Sequence, residues 1–221
     1  MSDPVADITS FEAMRHMMVQ SQLRANAVND PRVVTAMDRV AREHFVPAAM
    51  QRLAYRDTAV PIGNGRSMNL PVATGKLLTA AEVRATDHVL LIGACGGYTA
   101  AVLAELATSV VAVESDPDLV AHARAALAQG KIELIEGPLD KGHAAGAPYD
   151  LLVIDGAIEA LPETLASQVI PGGRVVTGLV ERGVTRLASG HVISGGFGLT
   201  AFADVDCVRL PGFVRPRGFS F

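Results

Sequence analysis

Residues 87–114 constrain the fold of this 221-residue chain more than any other stretch. An apolar run, Val89 to Ile92, enters a glycine-rich loop, Gly93 to Gly97. A helical pattern follows, and Val110-Val-Ala-Val-Glu114 reads as a second buried strand ending in an acid. Strand, loop, helix, strand and acid in that order is how a parallel sheet builds a nucleotide crevice. Glycines let the backbone approach a ligand, the helix N-terminus faces its polar groups, and the acid accepts from ribose hydroxyls. The loop departs from a clean Gly-x-Gly-x-x-Gly, because Cys95 stands where a small residue is expected.

The same alternation continues downstream. Strands are predicted at 89–92, 110–114, 132–135, 150–154 and 173–177, with helices near 97–106, 117–128 and 159–168. That spacing predicts an α/β fold: a Rossmann-like, doubly wound, mostly parallel sheet with helices on both faces. After Arg182 the apolar period becomes two, interrupted by Gly190, Gly195, Gly196 and Gly198, which predicts an antiparallel C-terminal hairpin at the sheet edge.

Upstream, the first 80 residues predict a helical and loop extension (1–80) packed on a single core unit (81–221). Phe11, Met14, Met17, Met18 and Leu23 fall near a 3.6 period, and Asp30-Pro31 caps a segment with Val33, Val34, Met37 and Val40 on one face. The methionines read as core filling rather than a sulfur site. Residues 54–71 read as a loop-rich stretch, followed by a helical run to Ala81.

Bulk properties remove several classes. Apolar residues make up 49% of the chain, against global disorder, and the apolar runs break well short of the ~18 residues of a membrane span. No signal-peptide core follows the acidic start Met1-Ser-Asp-Pro-Val-Ala-Asp7. A formal charge of −4 without a basic block argues against tight non-specific nucleic-acid binding. Only Cys95 and Cys207 are present, which argues against a disulfide framework and for the cytoplasm. His16, His44, His88, His122, His143 and His191 have no metal-ligand spacing, so no metal site is expected.

Several local motifs together carry a resemblance. They are Gln22-Leu-Arg24, Phe45-Val-Pro47, Ala54-Tyr-Arg-Asp57, Pro61-Ile-Gly-Asn-Gly65, Gly97-Tyr98 with Ala100-Ala-Val-Leu-Ala104, Ala147-Pro-Tyr-Asp150 and Pro171-Gly-Gly-Arg174. In this order, over about nine-tenths of the chain, the sequence resembles the protein-L-isoaspartate O-methyltransferases. The resemblance implies a class I fold, S-adenosyl-L-methionine as cofactor, and isoaspartyl carboxyl groups of damaged proteins or peptides as substrate. It implies neither nucleic acid nor membrane as partner, and oligomeric state is not legible.

The resemblance also implies where the site lies, and there the residues depart from the family pattern. After Gly65 that pattern reads Gln-Thr-Ile-Ser-Gln-Pro, its serine being implicated in catalysis. This chain has Arg66-Ser67-Met68-Asn69-Leu70-Pro71, so Asn69 takes the serine position and Ser67 the threonine position. On a strand-like backbone Ser67 and Asn69 share a face, which leaves open whether Ser67 supplies the missing hydroxyl. The cofactor strand of the family ends Glu-Ile-Gly-x-Gly-x-Gly. Here Leu91 replaces the acid, Gly93 and Gly97 are kept, and Cys95 puts a side chain in the loop. A positive φ at Cys95 costs about 1 kcal/mol or more, and the thiol reads as a small buried group rather than a nucleophile.

Glu114, followed by Ser115, stays on the ribose-binding position, the alternative being an exposed acid at a strand end. Pro138 and Leu139 replace the family's Asp-Gly near the adenine. Asp155 replaces a threonine after the fourth core strand. It either faces the crevice, where Arg66 offsets its repulsion of an anionic acceptor, or caps Gly156 and the next helix. The candidate catalytic residues are therefore Asn69, Ser67 and Asp155. The candidate cofactor-binding residues are Leu91, Gly93, Cys95, Gly97, Glu114, Ser115, Pro138 and Leu139.

Two functions follow. One is a working isoaspartyl methyltransferase, in which proximity and orientation carry most of the rate. The other is an altered member with weak or no cofactor binding, serving a protein-binding role or methylating another acceptor. Cofactor binding requires that the turn after the first core strand leave room for a nucleoside beside Glu114.

Overall fold

The computed structural model describes residues 10–127, 130–193 and 196–213. Position 128 of the predicted helix 117–128, Gly195 of the predicted hairpin and the acidic start at 1–7 lie outside these residues. Two helices come first: α1 (Phe11–Met17), capped by the Ser10 hydroxyl, and α2 (Pro31–Arg39), where Asp30 accepts from the Arg32 N–H and proline takes the first helical position. Met18 and Met37 are buried in the core as expected of gap-filling residues, whereas Met17 is exposed.

The stretch 54–71 contains more than the loop that the sequence suggested. β1 (Val60–Gly63) and β2 (Arg66–Met68) form an antiparallel hairpin. Asn64 and Gly65 make its two-residue turn, both at positive φ (50° and 71°), a conformation that Asn-Gly favours. Helix α3 (Pro71–Ala80) follows as expected.

The core then alternates as predicted: β3 (His88–Ile92), α4 (Tyr98–Leu106), β4 (Ser109–Glu114), α5 (Pro117–Ala126) and β5 (Ile132–Glu136). After these come β6 (Tyr149–Ile158), α6 (Glu163–Ala166), β7 (Val169–Glu181), β8 (Val184–Ile193) and β9 (Gly196–Ala203). The sheet order is β5-β4-β3-β6-β7-β8-β9, with β3 to β7 parallel and β8 and β9 antiparallel at the edge. This is the α/β, Rossmann-like arrangement. The predicted helix at 159–168 shrinks to the four residues of α6, which starts only after the extended N-cap Pro162 and stops before β7 begins at Val169.

Alternate residues of each core strand serve opposite faces. Val89, Leu91, Val110, Ala112, Leu151 and Val153 pack under α2, α3 and α4, in one core that runs from Met18 to Cys207. Leu90, Ile92, Val111, Val113, Leu152 and Ile154 form the other face. That second core is closed by Leu165 and Ala166 of α6 and by Leu210 and Phe213 near the C-terminus. A one-turn helix covers little sheet, so the terminal segment completes the layer.

Candidate active site

The carboxyl ends of β3 and β4 form the site. Leaving β3, the N–H groups of Gly93 and Ala94 both donate to the Val113 carbonyl at 3.0 Å, which folds the loop over β4. Gly93 (φ 81°), Cys95 (φ 56°) and Gly97 (φ 101°) all take positive φ, so the strain expected at Cys95 is present. The Cys95 thiol donates to the Ser67 carbonyl at 3.3 Å, and burial pushes its pKa up to about 12. It is a neutral, buried group and no nucleophile.

Glu114 is completely buried, which excludes the exposed-acid reading. Its Oε1 accepts from the N–H of Ser115 (2.8 Å) and of Asp116 (3.1 Å), and its Oε2 from the N–H of Cys95 (2.8 Å). Arg66 adds a two-pronged ion pair, Nη1 to Oε1 at 2.7 Å and Nη2 to Oε2 at 3.1 Å. The expectation that Arg66 would pair with Asp155 or an acceptor carboxylate is thereby corrected: the hairpin delivers its guanidinium to Glu114. Asn64 at the hairpin tip holds this position by donating to Asp116 (2.9 and 3.1 Å) and Asp118 (3.1 Å) at the start of α5.

The other occupant comes from the C-terminus. Residues 208–210 run beside β6, where the Ala157 N–H donates to the Val208 carbonyl (2.6 Å) and the Leu210 N–H to the Ala157 carbonyl (3.0 Å). Leu210 thereby sits over two glycines: a Cβ on Gly93 would lie 3.0 Å from it and one on Gly156 2.5 Å. Outside Arg66 and Leu210 a cavity of about 560 Å³ opens to solvent, lined also by Gly65, Ser115, Asp116 and Arg209. That volume falls in the small-molecule range of ~300–1,000 Å³. The room expected beside Glu114 is therefore divided, open on the Ser115 side and filled at the deep end. A larger cavity of about 740 Å³, among Glu159, Leu179, Arg182 and Phe197, holds none of these strand-end residues.

Asn69 and Asp155 do come together, beneath the site rather than in it. Asn69 Nδ2 donates to Asp155 Oδ1 (3.1 Å) and to the Cys207 sulfur (3.2 Å), while its Oδ1 accepts from the N–H of Leu70 (3.1 Å) and Val208 (3.3 Å). The Thr99 hydroxyl donates to the other Asp155 oxygen at 2.5 Å. Arg42, wholly buried over the Tyr98 ring, donates to the Ala54 carbonyl (2.7 Å) and to the Asn69 carbonyl. Burial raises the Asp155 pKa from its ordinary value, against the downward pull of Thr99, Asn69 and Arg42. Asp155 therefore neither faces the cavity nor caps a helix, since β6 continues past it. The repulsion foreseen with an anionic acceptor loses its geometry, since Asp155 does not line the cavity.

The remaining candidates separate. β2 ends at Met68 and Asn69 is buried, so Ser67 and Asn69 do not form one strand face. Ser67 is half-buried and gives its carbonyl to Cys95. Leu91 lies fully buried in the core, and Leu139 is buried in the opposite face of the sheet next to an exposed Pro138. Ser115 lines the cavity. The sequence reading missed Arg66 as the partner of Glu114, and also Leu210, Thr99 and Arg42. For Arg66 a signal existed, an arginine directly after an Asn-Gly turn that brings it back across the sheet ends. For Leu210 none did, since nothing local says which face a terminal segment covers.

The sequence pattern of protein-L-isoaspartate(D-aspartate) O-methyltransferase matches residues 13–189. The chain is 40% identical over 173 residues to protein-L-isoaspartate O-methyltransferase 1 of Rhodopseudomonas palustris strain HaA2, spanning 77% of this chain and 71% of that protein. It is 32% identical over 217 residues to the protein-L-isoaspartate O-methyltransferase of Koribacter versatilis, spanning 97% and 96%. In fold it is similar to a putative protein-L-isoaspartate O-methyltransferase of Plasmodium falciparum solved with S-adenosyl-L-homocysteine, with a TM-score of 0.74, 17% identity, and 89% and 97% of the two chains covered. Another solved protein-L-isoaspartate O-methyltransferase aligns with a TM-score of 0.76 and 18% identity over 92% of this chain and 66% of that one. At those identities the structures speak for the fold, and the sequence relatives for the family. The chain belongs to the protein-L-isoaspartate(D-aspartate) O-methyltransferase family.

Proposed function

We propose that this chain is an S-adenosyl-L-methionine-dependent O-methyltransferase that acts on isoaspartyl carboxyl groups of damaged proteins or peptides. The observation that carries the reading is the buried acid Glu114 at the end of β4, joined to the Cys95 N–H of the glycine loop and to Arg66 and Ser115, which line a cavity of about 560 Å³. Family membership supports the same activity. A cytoplasmic location goes with the two buried, unpaired cysteines, and no described helix is long and apolar enough to cross a membrane.

The residues suit such a cofactor in kind. Glu114 has the acceptor oxygens that a ribose diol needs, Gly93 and Gly97 keep the loop backbone bare, and Ser115 and Asp116 line the open side. When bound, the cofactor supplies a methyl group on a sulfonium, already electrophilic enough to need no covalent help. The protein's share is then to hold an acceptor oxygen in line and keep water out. An isoaspartyl carboxylate is ionised at neutral pH and requires no base. Asn69 fits that demand: both ends of its amide are committed to neighbours, and it shapes the floor of the site rather than moving a proton.

The test is transfer of labelled methyl from S-adenosyl-L-methionine to an isoaspartyl peptide, with the aspartyl peptide as control. Labelled ester and S-adenosyl-L-homocysteine are expected with the first peptide alone. Equal labelling of the two, or none at millimolar peptide, removes the assignment.

A further inference from the structure

We propose that Arg66 and Leu210 are internal competitors for the cofactor, and that they set how tightly this chain binds it. The inference deepens the function proposed above and rests on it. Glu114 shows the first half of the competition. A carboxylate offers about four lone-pair sites, and three backbone N–H groups plus both prongs of Arg66 already fill them. No acceptor site is left for a ribose hydroxyl. Of these donors the backbone amides belong to the loop and to the start of α5, and they stay with the fold. Apart from the Ser115 hydroxyl at 3.4 Å, Arg66 is the donor that arrives on a side chain, with its head at the cavity wall.

The exchange runs against the cofactor. A neutral diol can hydrogen-bond the buried carboxylate but brings no positive charge, so it replaces the guanidinium with a loss of Coulomb attraction. Shortening the side chain to a neutral amide removes that handicap without changing Glu114.

Leu210 supplies the second half. It sits on the bare backbone of Gly93, where a nucleotide-binding loop leaves space for its ligand, and touches Gly156 on the neighbouring strand. It is anchored by two backbone hydrogen bonds to Ala157, and it borders the same cavity as Arg66. The two occupants come from distant parts of the chain, the β1–β2 hairpin and the segment around Leu210, yet they close one hollow. Cofactor entry requires Arg66 to leave Glu114 and the 208–211 segment to lift from β6.

Isothermal titration of the full chain with S-adenosyl-L-homocysteine tests this on wild type, Arg66→Gln, Leu210→Ala and the double variant. Each single variant is expected to bind at least tenfold tighter than wild type, and the double variant tighter still. In wild type, saturating ligand should speed amide hydrogen exchange at Ala157 and Leu210, the reverse of ordinary ligand protection. Circular dichroism identifies any variant that fails to fold, and the exchange measurement on wild type then decides alone. Wild-type affinity in both variants, with those amides protected by ligand, overturns the competition and leaves the function standing. No binding by any of the four proteins removes both.

Discussion

Arg66 and Glu114 face each other through two hydrogen bonds of 2.7 and 3.1 Å, with the carboxylate fully buried and the guanidinium nearly so. The pair ties the β1–β2 hairpin to the end of β4, and removing one member leaves the other poorly solvated. Glu114→Gln is expected to cost about 3–5 kcal/mol, and Arg66→Gln a similar amount. The double variant should cost less than their sum by about 1–3 kcal/mol. Urea unfolding of the four proteins measures this cycle, and additive costs would mean that the pair holds nothing together.

Gly96 is where the N-terminal region meets the cofactor loop. A Cβ there would lie 2.1 Å from the backbone carbonyl oxygen of Phe45, which no side-chain adjustment relieves. Gly96→Ala should therefore push the 42–45 turn off the loop and lose about 1–3 kcal/mol. Thermal unfolding would register a fall of roughly 2–4 °C per kcal/mol in a chain of this size. A variant melting with wild type contradicts the contact.

Asp155 makes stability pH-dependent in a known direction. Its pKa is raised in the fold, first by burial, so the folded protein holds the proton more tightly than the unfolded chain does. The group's contribution is fully present below about pH 4, the unfolded carboxylate value. It is lost as pH rises through the higher folded value. Asp155→Asn has no such loss, so its stability relative to wild type should improve steadily from pH 4 towards 7. Parallel stability curves for the two proteins over that range would show that Asp155 is ionised in the fold.

Both thiols are buried, and burial pushes each pKa up to about 12. Iodoacetamide at pH 8 should leave Cys95 and Cys207 unmodified in the native protein, with labelling only at the rate of unfolding. Intact mass against time in increasing urea reads this directly. Fast labelling of the folded chain would place a thiolate at the surface.

The apolar runs and helical patterns of residues 87–126 reappear as β3, α4, β4 and α5 to within a residue or two at their starts, because these elements bury apolar surfaces that their own sequence carries. The acid at Glu114 was legible for the same reason: a strand of known direction puts its last residue at the ligand end. The hairpin at 60–68 was missed although Asn64-Gly65 spells its turn, since β1 and β2 are too short to show alternation. The helix expected at 159–168 is confined to Glu163–Ala166, because Pro162 stands extended as its N-cap and β7 begins at Val169.

By itself, then, the amino-acid order determined the α/β alternation, the glycine loop, the strand-end acid and kinship with a family, each carried by short local patterns along the chain. Tertiary structure alone decided what stands opposite that acid. Arg66 lies 48 positions from Glu114, Asn69 lies 86 from Asp155, and Leu210 reaches Gly93 from the far end of the chain. Contacts of that separation are set by which segments cover which face of the sheet, a matter of packing and burial that no local period records.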